Sequence, residues 1–178
     1  NILKKYDIPN QFILYVGTIE KRKNLNFILQ SIRKNPEINL VCIGGKKSYY
    51  HEVLRFISEK KIKNNITFLT LKNMNDLSDI YKKAQCLVYP SIYEGFGIPI
   101  IEALYSEIPV ITTNKPVFKE AGGDHCFYVN NTEELSSILE KIWKKKKEKN
   151  KLGKEWAEKF NSSKQAKQII NIYRELLK

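Results

Sequence analysis

Six short runs of apolar, β-favouring residues recur along the chain, and they constrain its fold more than any other feature. Each run is almost continuously apolar rather than alternating, as is typical of strands that are buried on both faces of a sheet. The segments between the runs have helical periodicity, so strands and helices alternate. This alternation predicts an α/β fold with a doubly wound parallel six-stranded sheet and helices on both faces. The predicted strands are residues 12–16, 39–43, 66–69, 86–89, 110–112 and 126–129.

Several residues indicate where the helices begin. Asn24 and Asn75 stand directly before helical segments and are predicted to cap them, and Pro99 suits the first turn of a further helix. After the sixth strand helices dominate, with one predicted over residues 132–147 and a last one capped by Asn161. The sequence therefore predicts extra C-terminal helices beyond the sheet.

The composition is that of a folded, strongly basic protein. Of its 178 residues 42% are apolar, and 31 Lys and Arg against 19 Asp and Glu give a net charge of +12, which excludes disorder as the main state. No membrane span or signal peptide is apparent, so we expect a cytoplasmic protein. The chain begins with Asn1 and its one Met is Met74, so we expect a piece of a longer protein. Cys42, Cys86 and Cys126 lie in or beside apolar runs and are predicted to be buried free thiols.

The basic charge itself supports a different class of function. An excess of lysine is typical of proteins that bind nucleic acid, and also of proteins that bind an anionic membrane surface. The basic run over residues 144–151 flanks an amphipathic helix and matches no nucleic-acid motif, so no nucleic-acid partner is expected. A basic nucleic-acid or membrane-surface module without a catalytic role remains the alternative to an enzyme. A nicotinamide-binding domain is disfavoured, because the first strand is not followed by Gly-x-Gly-x-x-Gly.

The loop after the fourth predicted strand has the residues of a ligand site at the carboxyl edge of the sheet. Gly95 and Gly97 allow close backbone approach, and the helix N-terminus behind them offers free N–H groups to phosphate or sugar oxygens. Glu94 can accept hydrogen bonds from sugar hydroxyls, and Glu102 can bind a vicinal diol such as a ribose. These features rarely combine in a simple connection, so the loop is predicted to be functional.

The loop after the first strand has a complementary charge. Gly17 ends the strand, and Lys21, Arg22 and Lys23 then precede a helix N-terminus. Positive charge and the helix dipole converge there, which suits a diphosphate. Lys21 is expected to be an ordinary surface charge.

These two loops resemble the signature of family-4 retaining glycosyltransferases of the GT-B fold. That signature has two glutamates separated by seven residues around a Glu-Gly-Phe-Gly core, and here Glu94 and Glu102 are the two glutamates. The first loop is similar to the Gly-Thr-x-x-x-Arg-Lys-Asn variant of the same family. The resemblance implies a Rossmann-like donor-binding domain over residues 1–160, one half of a GT-B enzyme. It also implies a C-terminal helix over residues 161–178 that packs back toward an N-terminal acceptor domain, which this chain does not contain.

The resemblance also implies roles for individual residues. Glu94, Arg22 and Lys23 are the implied catalytic residues, because they contact the transferred sugar and the diphosphate. Thr18 stands where many members of the family have arginine, and Glu107 stands where they have glycine. The implied donor-binding residues are Gly17, Thr18, Arg22, Lys23, Glu94, Gly95, Phe96, Gly97, Ile98 and Glu102.

The implied activity is that of a hexosyltransferase in polysaccharide biosynthesis. It moves a hexosyl group, with a mannosyl-like group favoured, from a nucleoside-diphosphate sugar to a glycan or lipid-linked acceptor, without a metal or another cofactor. The acceptor would be bound by the N-terminal domain, so these 178 residues alone are expected to be inactive. An acceptor of this kind is compatible with a peripheral position at the inner face of the membrane. The base, the sugar, the acceptor, the linkage and the oligomeric state are left open.

Overall fold

The fold, given by a computed structural model, is described for residues 1–63 and 65–177. Six parallel strands form one sheet in the order β3-β2-β1-β4-β5-β6, which confirms the predicted doubly wound α/β architecture. The first pair is in register from Ile13 opposite Leu40 to Val16 opposite Ile43. The strands are β1 Ile13–Val16, β2 Leu40–Ile43, β3 Ile66–Leu69, β4 Leu87–Tyr89, β5 Val110–Thr113 and β6 Phe127–Val129.

Helices cover both faces of the sheet. One apolar cluster joins the sheet to α1, α4, α5, α6 and α8, and a second joins it to α2, α3 and α7. Successive β1 residues alternate between them, since Leu14 packs in the first cluster and Tyr15 in the second. The helices are α1 Ile2–Lys5, α2 Leu25–Ile32, α3 Tyr49–Glu59, α4 Asp76–Lys83, α5 Ile98–Tyr105, α6 Pro116–Gly122, α7 Thr132–Lys144, α8 Lys151–Ala157 and α9 Ser162–Leu176.

Two of the predicted helix caps are wrong. Asn24 precedes α2 but has a left-handed backbone with φ of 56°, and its side-chain amide donates to the carbonyl of Pro90. Asn75 is already helical in its backbone angles and makes no capping bond, while the side chain of Asn73 accepts from the Asn75 N–H. The Asn24 side chain is therefore used for a loop contact, which competes with capping.

The other helix boundaries follow the prediction more closely. Pro99 lies in the first turn of α5, and the Asn161 side chain caps α9 by accepting from the Ser163 N–H. Helix α7 ends at Lys144, three residues before the predicted end, because Lys145 adopts an extended conformation. The assignment of residues 161–178 to a helix that meets another domain stays a prediction, and Lys178 lies outside the described residues.

The cysteines behave as predicted. Cys42 and Cys86 are buried, Cys126 is half-buried, and all three are free thiols. Burial raises the pKa of Cys86 and of Cys126 to about 12, so both thiols stay protonated at neutral pH. In the described part of the chain, no helix is both long and apolar enough to cross a membrane.

The loops after β1 and β2 are in direct contact at the carboxyl edge of the sheet. The N–H of Ile19 donates to the carbonyl of Gly45 at 2.9 Å, and Ile19 pairs with Lys46 in a parallel bridge. A Cβ atom on Gly44 would lie 2.1 Å from the carbonyl oxygen of Gly17, so only glycine fits there. This backbone contact fixes the position of the basic segment that follows Gly17.

Candidate functional site

Glu94, Arg22 and Lys23 meet in one cluster at the carboxyl edge of the sheet. The Nζ of Lys23 lies 2.6 Å from Oε1 of Glu94, and Nη1 of Arg22 lies 3.1 Å from Oε2 of the same carboxylate. Arg22 and Lys23 belong to a short 3₁₀ turn over Lys21–Lys23, and Glu94 belongs to the loop between β4 and α5. The fold thus brings together the three residues that the sequence predicts to be catalytic, from segments about seventy residues apart.

Lys23 is the most enclosed charge of the cluster. The residue is 8% exposed, and its Nζ also donates to the hydroxyl of Tyr89 at 3.1 Å. Its alkyl stem passes over Gly17, where an added Cβ would touch the Lys23 side chain at 3.5 Å. A Cβ at that distance would fit, so glycine is favoured at position 17 by its φ of +145° rather than by the lysine.

The cluster keeps Glu94 ionised. Burial by itself raises the pKa of this carboxyl, but the adjacent Lys23 ammonium and the nearby Ser91 hydroxyl favour the charged form and leave the pKa below its ordinary value. Only 12% of the Glu94 side chain is exposed. The two cations and the carboxylate thus form a closely packed charged group.

Two further charged residues extend this group, and the sequence reasoning assigned no role to them. Glu20 accepts from Nε of Arg22 at 3.0 Å, and its other oxygen lies 2.7 Å from Nζ of Lys47 in the loop after β2. Hydrogen bonds with Lys47 and Thr18 lower the pKa of Glu20 to about 2. The charges therefore alternate along the chain of contacts Lys47, Glu20, Arg22, Glu94 and Lys23. The sequence signal for these contacts is the presence of glycines directly after β1 and β2, which allow the two loops to pack together.

The glycine loop in front of α5 is shaped by two different requirements. Gly97 has φ of +113°, a conformation that favours glycine, whereas Gly95 is exposed and has open space around it. Phe96 turns inward and packs edge-to-face on Phe160 with ring centroids 5.4 Å apart. Ile98, the first residue of α5, is 64% exposed. The Phe96 side chain thus anchors the loop, in which Gly95 and Ile98 are exposed and Gly97 is buried.

Glu102 lies apart from the ion-pair cluster. It falls in the second turn of α5 rather than in the opening turn, and its Oε2 accepts from the Tyr81 hydroxyl at 2.9 Å. Burial raises the pKa of Glu102, and the hydrogen bond from Tyr81 opposes this shift only in part. The carboxyl lines a cavity of about 550 Å³ between α4, α5 and the residues before α9, together with Asn75 and Ser78. Glu102 is thus placed to bind a polar group within a cavity rather than to join the cluster.

The histidines and possible metal ligands do not form a second site. Among residues 1–63 and 65–177, no three His, Cys, Asp or Glu side chains are grouped to hold a metal ion. His51 is exposed on α3 against the Tyr50 ring, and His125 packs beside Trp156. Both histidines are therefore in ordinary structural settings.

The fold and the cluster together define a class of protein. A parallel α/β sheet with cations and a helix N-terminus at its carboxyl edge is an arrangement that binds anionic, nucleotide-like ligands. The family model described as "Glycosyl transferases group 1" matches residues 2–159, and the chain belongs to this family. This confirms the family relationship that the two loops predicted.

Two of the curated relatives are bacterial enzymes. The chain is 36% identical over 137 residues to the O-antigen chain mannosyltransferase RfbU of Salmonella typhimurium, covering 76% of this chain and 38% of that protein. It is 35% identical over 129 residues to the O-antigen chain mannosyltransferase B of Escherichia coli, covering 69% of this chain and 34% of the relative. The chain therefore spans little more than a third of the length of these two relatives.

Solved structures share the fold. Sucrose-phosphate synthase from Thermosynechococcus elongatus superposes with a TM-score of 0.84 at 23% identity, over 99% of this chain and 48% of that one. HepE from Anabaena, solved in complex with UDP and glucose, has the same TM-score at 16% identity, over 97% of this chain and 50% of that one. These likenesses confirm the predicted Rossmann-like half of a GT-B fold.

Proposed function

We propose that this chain is the donor-binding domain of a retaining hexosyltransferase that uses a nucleoside-diphosphate sugar. The observation that carries the proposal is the cluster in which Arg22 and Lys23 both contact Glu94 at the carboxyl edge of the sheet. Two fixed cations there can bind a diphosphate, and a carboxylate between them can bind the hydroxyls of the sugar.

The chemistry that this cluster supplies is charge stabilisation. When the bond between the anomeric carbon and the diphosphate oxygen breaks, its electron pair goes to the leaving nucleoside diphosphate, and the acceptor oxygen forms the new bond and loses a proton. Preorganised cations at the diphosphate stabilise the negative charge that develops there. Arg22 and Lys23 supply this charge, so we expect binding and transfer without a metal. Glu94 orients the sugar, and no nucleophilic role is assigned to it.

Glu102 and its cavity extend the donor site to the nucleoside. We assign the ribose hydroxyls to the Glu102 carboxylate, which can accept two hydrogen bonds from a vicinal diol. The cavity also contains Asn75 and Ser78 from the start of α4, so the base would lie against this helix. The remaining predicted contacts, from Gly17, Thr18, Gly95, Phe96, Gly97 and Ile98, are assigned to the diphosphate and the sugar.

The identity of the hexose is proposed from the relatives. Two relatives that share 35% and 36% of their aligned residues with this chain are named O-antigen chain mannosyltransferases. We therefore propose a mannosyl or similar donor sugar and a glycan or lipid-linked acceptor. Because the chain spans little more than a third of these relatives, we place the acceptor site in another part of the protein. The proposed location is cytoplasmic, with a peripheral position at the inner face of the membrane.

The donor assignment is tested by calorimetric titration in EDTA with UDP, GDP and their hexose conjugates. We expect saturable binding of at least one of them, weakened about tenfold or more by Arg22→Ala, which removes a charged hydrogen-bond donor. Glu102→Ala should weaken nucleotides that contain ribose but not inorganic diphosphate, which provides an internal control. Failure of all these nucleotides to bind would refute the proposed function.

A further inference from the structure

A second cavity lies at the edge of the sheet opposite the donor loops. It is bordered by Gln85 and Pro109, which precede β4 and β5, and by Phe127 at the start of β6. In a parallel sheet all strand starts share one edge, so this cavity faces away from Arg22 and Glu94. Its volume is about 410 Å³, and the residues of the proposed donor site do not contribute to it.

The cavity has an apolar floor and a basic rim. Ile138 and Ile142 of α7 form the floor with Phe127, which is 47% exposed although it begins a strand. The rim is formed by four lysines from the end of α7 and the segment after it, namely Lys141, Lys145, Lys146 and Lys147. A surface that combines exposed apolar carbon with a lysine rim suits a ligand that is both anionic and apolar.

The rim carries positive charge that the protein itself does not neutralise. Within the described residues, none of its four lysines is in an ion pair, whereas the neighbouring Lys144 and Lys149 pair with Glu140 and Glu107. The one carboxylate at this rim is Glu148, which is exposed. An anion in front of the rim would therefore gain unpaired cations.

Lys147 is held in an unfavourable position for a cation. Burial and the nearby charge of Lys83 lower its pKa to about 8, with an opposing effect of Cys86 and a further lowering by Lys149. Its Nζ donates to the backbone carbonyl of Lys82 rather than to a carboxylate. Inside the same cavity, Oε1 of Gln85 is buried without a hydrogen-bond partner. The site therefore contains one buried polar atom, Gln85 Oε1, that its own residues leave unsatisfied.

We propose that this surface docks the protein on an anionic phospholipid membrane. The headgroup phosphates contact Lys141, Lys145 and Lys146, and apolar lipid carbons enter the cavity and pack on Phe127. Each lysine near an anionic membrane adds to the electrostatic attraction, so the rim is sufficient for reversible binding. Because the surface is at the opposite edge from Arg22, a membrane-bound domain keeps its donor loops free.

A nucleic acid is the competing partner for a basic surface, but the cavity favours lipid. Duplex binding requires charge and polar contacts to phosphate and base edges, and it gains nothing from exposed Phe127 over an isoleucine floor. The exposed apolar carbon therefore distinguishes the two partners, and the experiment measures its contribution to binding separately from that of the lysines.

The experiment is sedimentation of the 178-residue chain with vesicles of phosphatidylglycerol and phosphatidylcholine, and with phosphatidylcholine alone. We expect binding to the mixed vesicles only, decreasing with salt. The triple variant Lys141→Gln, Lys145→Gln, Lys146→Gln should lower partitioning about tenfold or more. The matched control substitutes glutamine for three other exposed lysines, at positions 72, 164 and 167, and should change the partitioning far less.

Two further measurements separate this inference from its rivals. Phe127→Ser should weaken vesicle binding while leaving the affinity for duplex DNA unchanged, and the triple variant should leave nucleoside-diphosphate affinity unchanged. Equal losses in the triple variant and its control, or tighter binding to duplex DNA than to the mixed vesicles at the same salt, would overturn the proposal. Absence of nucleotide binding by the wild-type chain would instead contradict only the proposed donor site.

Discussion

At the residue scale, Glu94 and Glu102 are two carboxyls whose surroundings shift the pKa in opposite directions. Glu94 lies between two cations and has a lowered pKa, whereas Glu102 is buried beside Tyr81 and has a raised pKa. Both lie in the segment that resembles the family signature, which gives no sign of this difference. The difference follows from their neighbours, because the 3₁₀ turn after β1 contributes the cations next to Glu94 while α4 contributes only a hydroxyl next to Glu102.

This contrast predicts opposite effects of two isosteric substitutions on stability. Because the folded pKa of Glu94 is lowered, its stabilising effect is present above the ordinary pKa of about 4.3 and is lost as the pH falls through the folded value. Glu94→Gln should therefore destabilise the fold by about 2 kcal/mol at pH 7, since it leaves Lys23 nearly buried without a counter-ion, and by progressively less as the pH falls through the folded pKa of Glu94. Thermal unfolding across this pH range measures the difference.

Glu102→Gln should behave in the opposite way. Its raised pKa means that the folded state prefers the protonated form, so the ionised carboxyl lowers stability as the pH rises from its ordinary pKa through the folded value. The glutamine keeps an acceptor for Tyr81 and removes the charge, so the variant should be equal to or more stable than the wild type at pH 7. A destabilised Glu102→Gln at pH 7 with no loss at pH 4 would contradict this description.

The effect of a Glu20 substitution on diphosphate binding shows whether Glu20 acts through its net charge or by positioning Arg22. Removing a carboxylate near an anion site should strengthen diphosphate binding if only net charge mattered. We expect Glu20→Gln to weaken it by about three- to tenfold instead, because Glu20 fixes the Nε edge of Arg22 through a charged hydrogen bond. Calorimetric titration with a nucleoside diphosphate measures this, and Glu59→Gln on exposed α3 is the matched control.

Coupling to Arg22 completes the test of Glu20. If Glu20 acts through the guanidinium, its substitution should have little further effect in an Arg22→Gln background. Additive losses in the double variant, or tighter binding in Glu20→Gln alone, would show that Glu20 does not position Arg22.

At the element scale, the two loops at the ends of β1 and β2 have to pack backbone against backbone. Gly44→Ala would place Cβ 2.1 Å from the Gly17 carbonyl oxygen, so we expect a loss of about 2 kcal/mol or more and weaker nucleotide binding. Gly95→Ala, in open space, should leave stability unchanged within about 0.5 kcal/mol. Denaturant unfolding of both variants measures this, and similar stabilities would contradict the proposed contact.

The elements could be predicted because their signals are local. All six strands begin and end within one residue of the predicted bounds, since β-favouring apolar runs and crossover helices determine a parallel sheet. The caps at Asn24 and Asn75 were wrong because a capping residue can be diverted by a tertiary contact, here the bond from Asn24 to the Pro90 carbonyl. Sequence patterns do not contain that partner.

The candidate site could likewise be predicted only where its sequence signals are local. Arg22, Lys23 and Glu94 were found because each lies next to a glycine turn or a helix start. Glu20, Lys47 and Tyr89 were missed, since their contacts depend on strand order, which places the ends of β2, β1 and β4 side by side. Local motifs therefore identified the loops, and topology determined the neighbours.

At the scale of the whole molecule, the two edges of the sheet have different proposed roles. The carboxyl edge carries the alternating charges of the proposed donor site, whereas the opposite edge carries the unpaired lysines around Phe127. The two edges therefore use different parts of the +12 charge, one for the diphosphate and one for the membrane, so the two ligands do not compete for the same residues.

We also expect the chain alone to bind the donor without transferring its sugar, which a radiolabelled donor and a mannose-containing glycan acceptor can test. Transfer by residues 1–178 alone would contradict that expectation.

The most direct test of the central claim is a crystal structure of this chain with the nucleoside diphosphate that it binds most tightly. We expect diphosphate oxygens within hydrogen-bond distance of Arg22 and Lys23, and ribose hydroxyls hydrogen-bonded to Glu102. A diphosphate located at the lysine rim around Phe127, or a ribose that leaves Glu102 bound only to Tyr81, would contradict it.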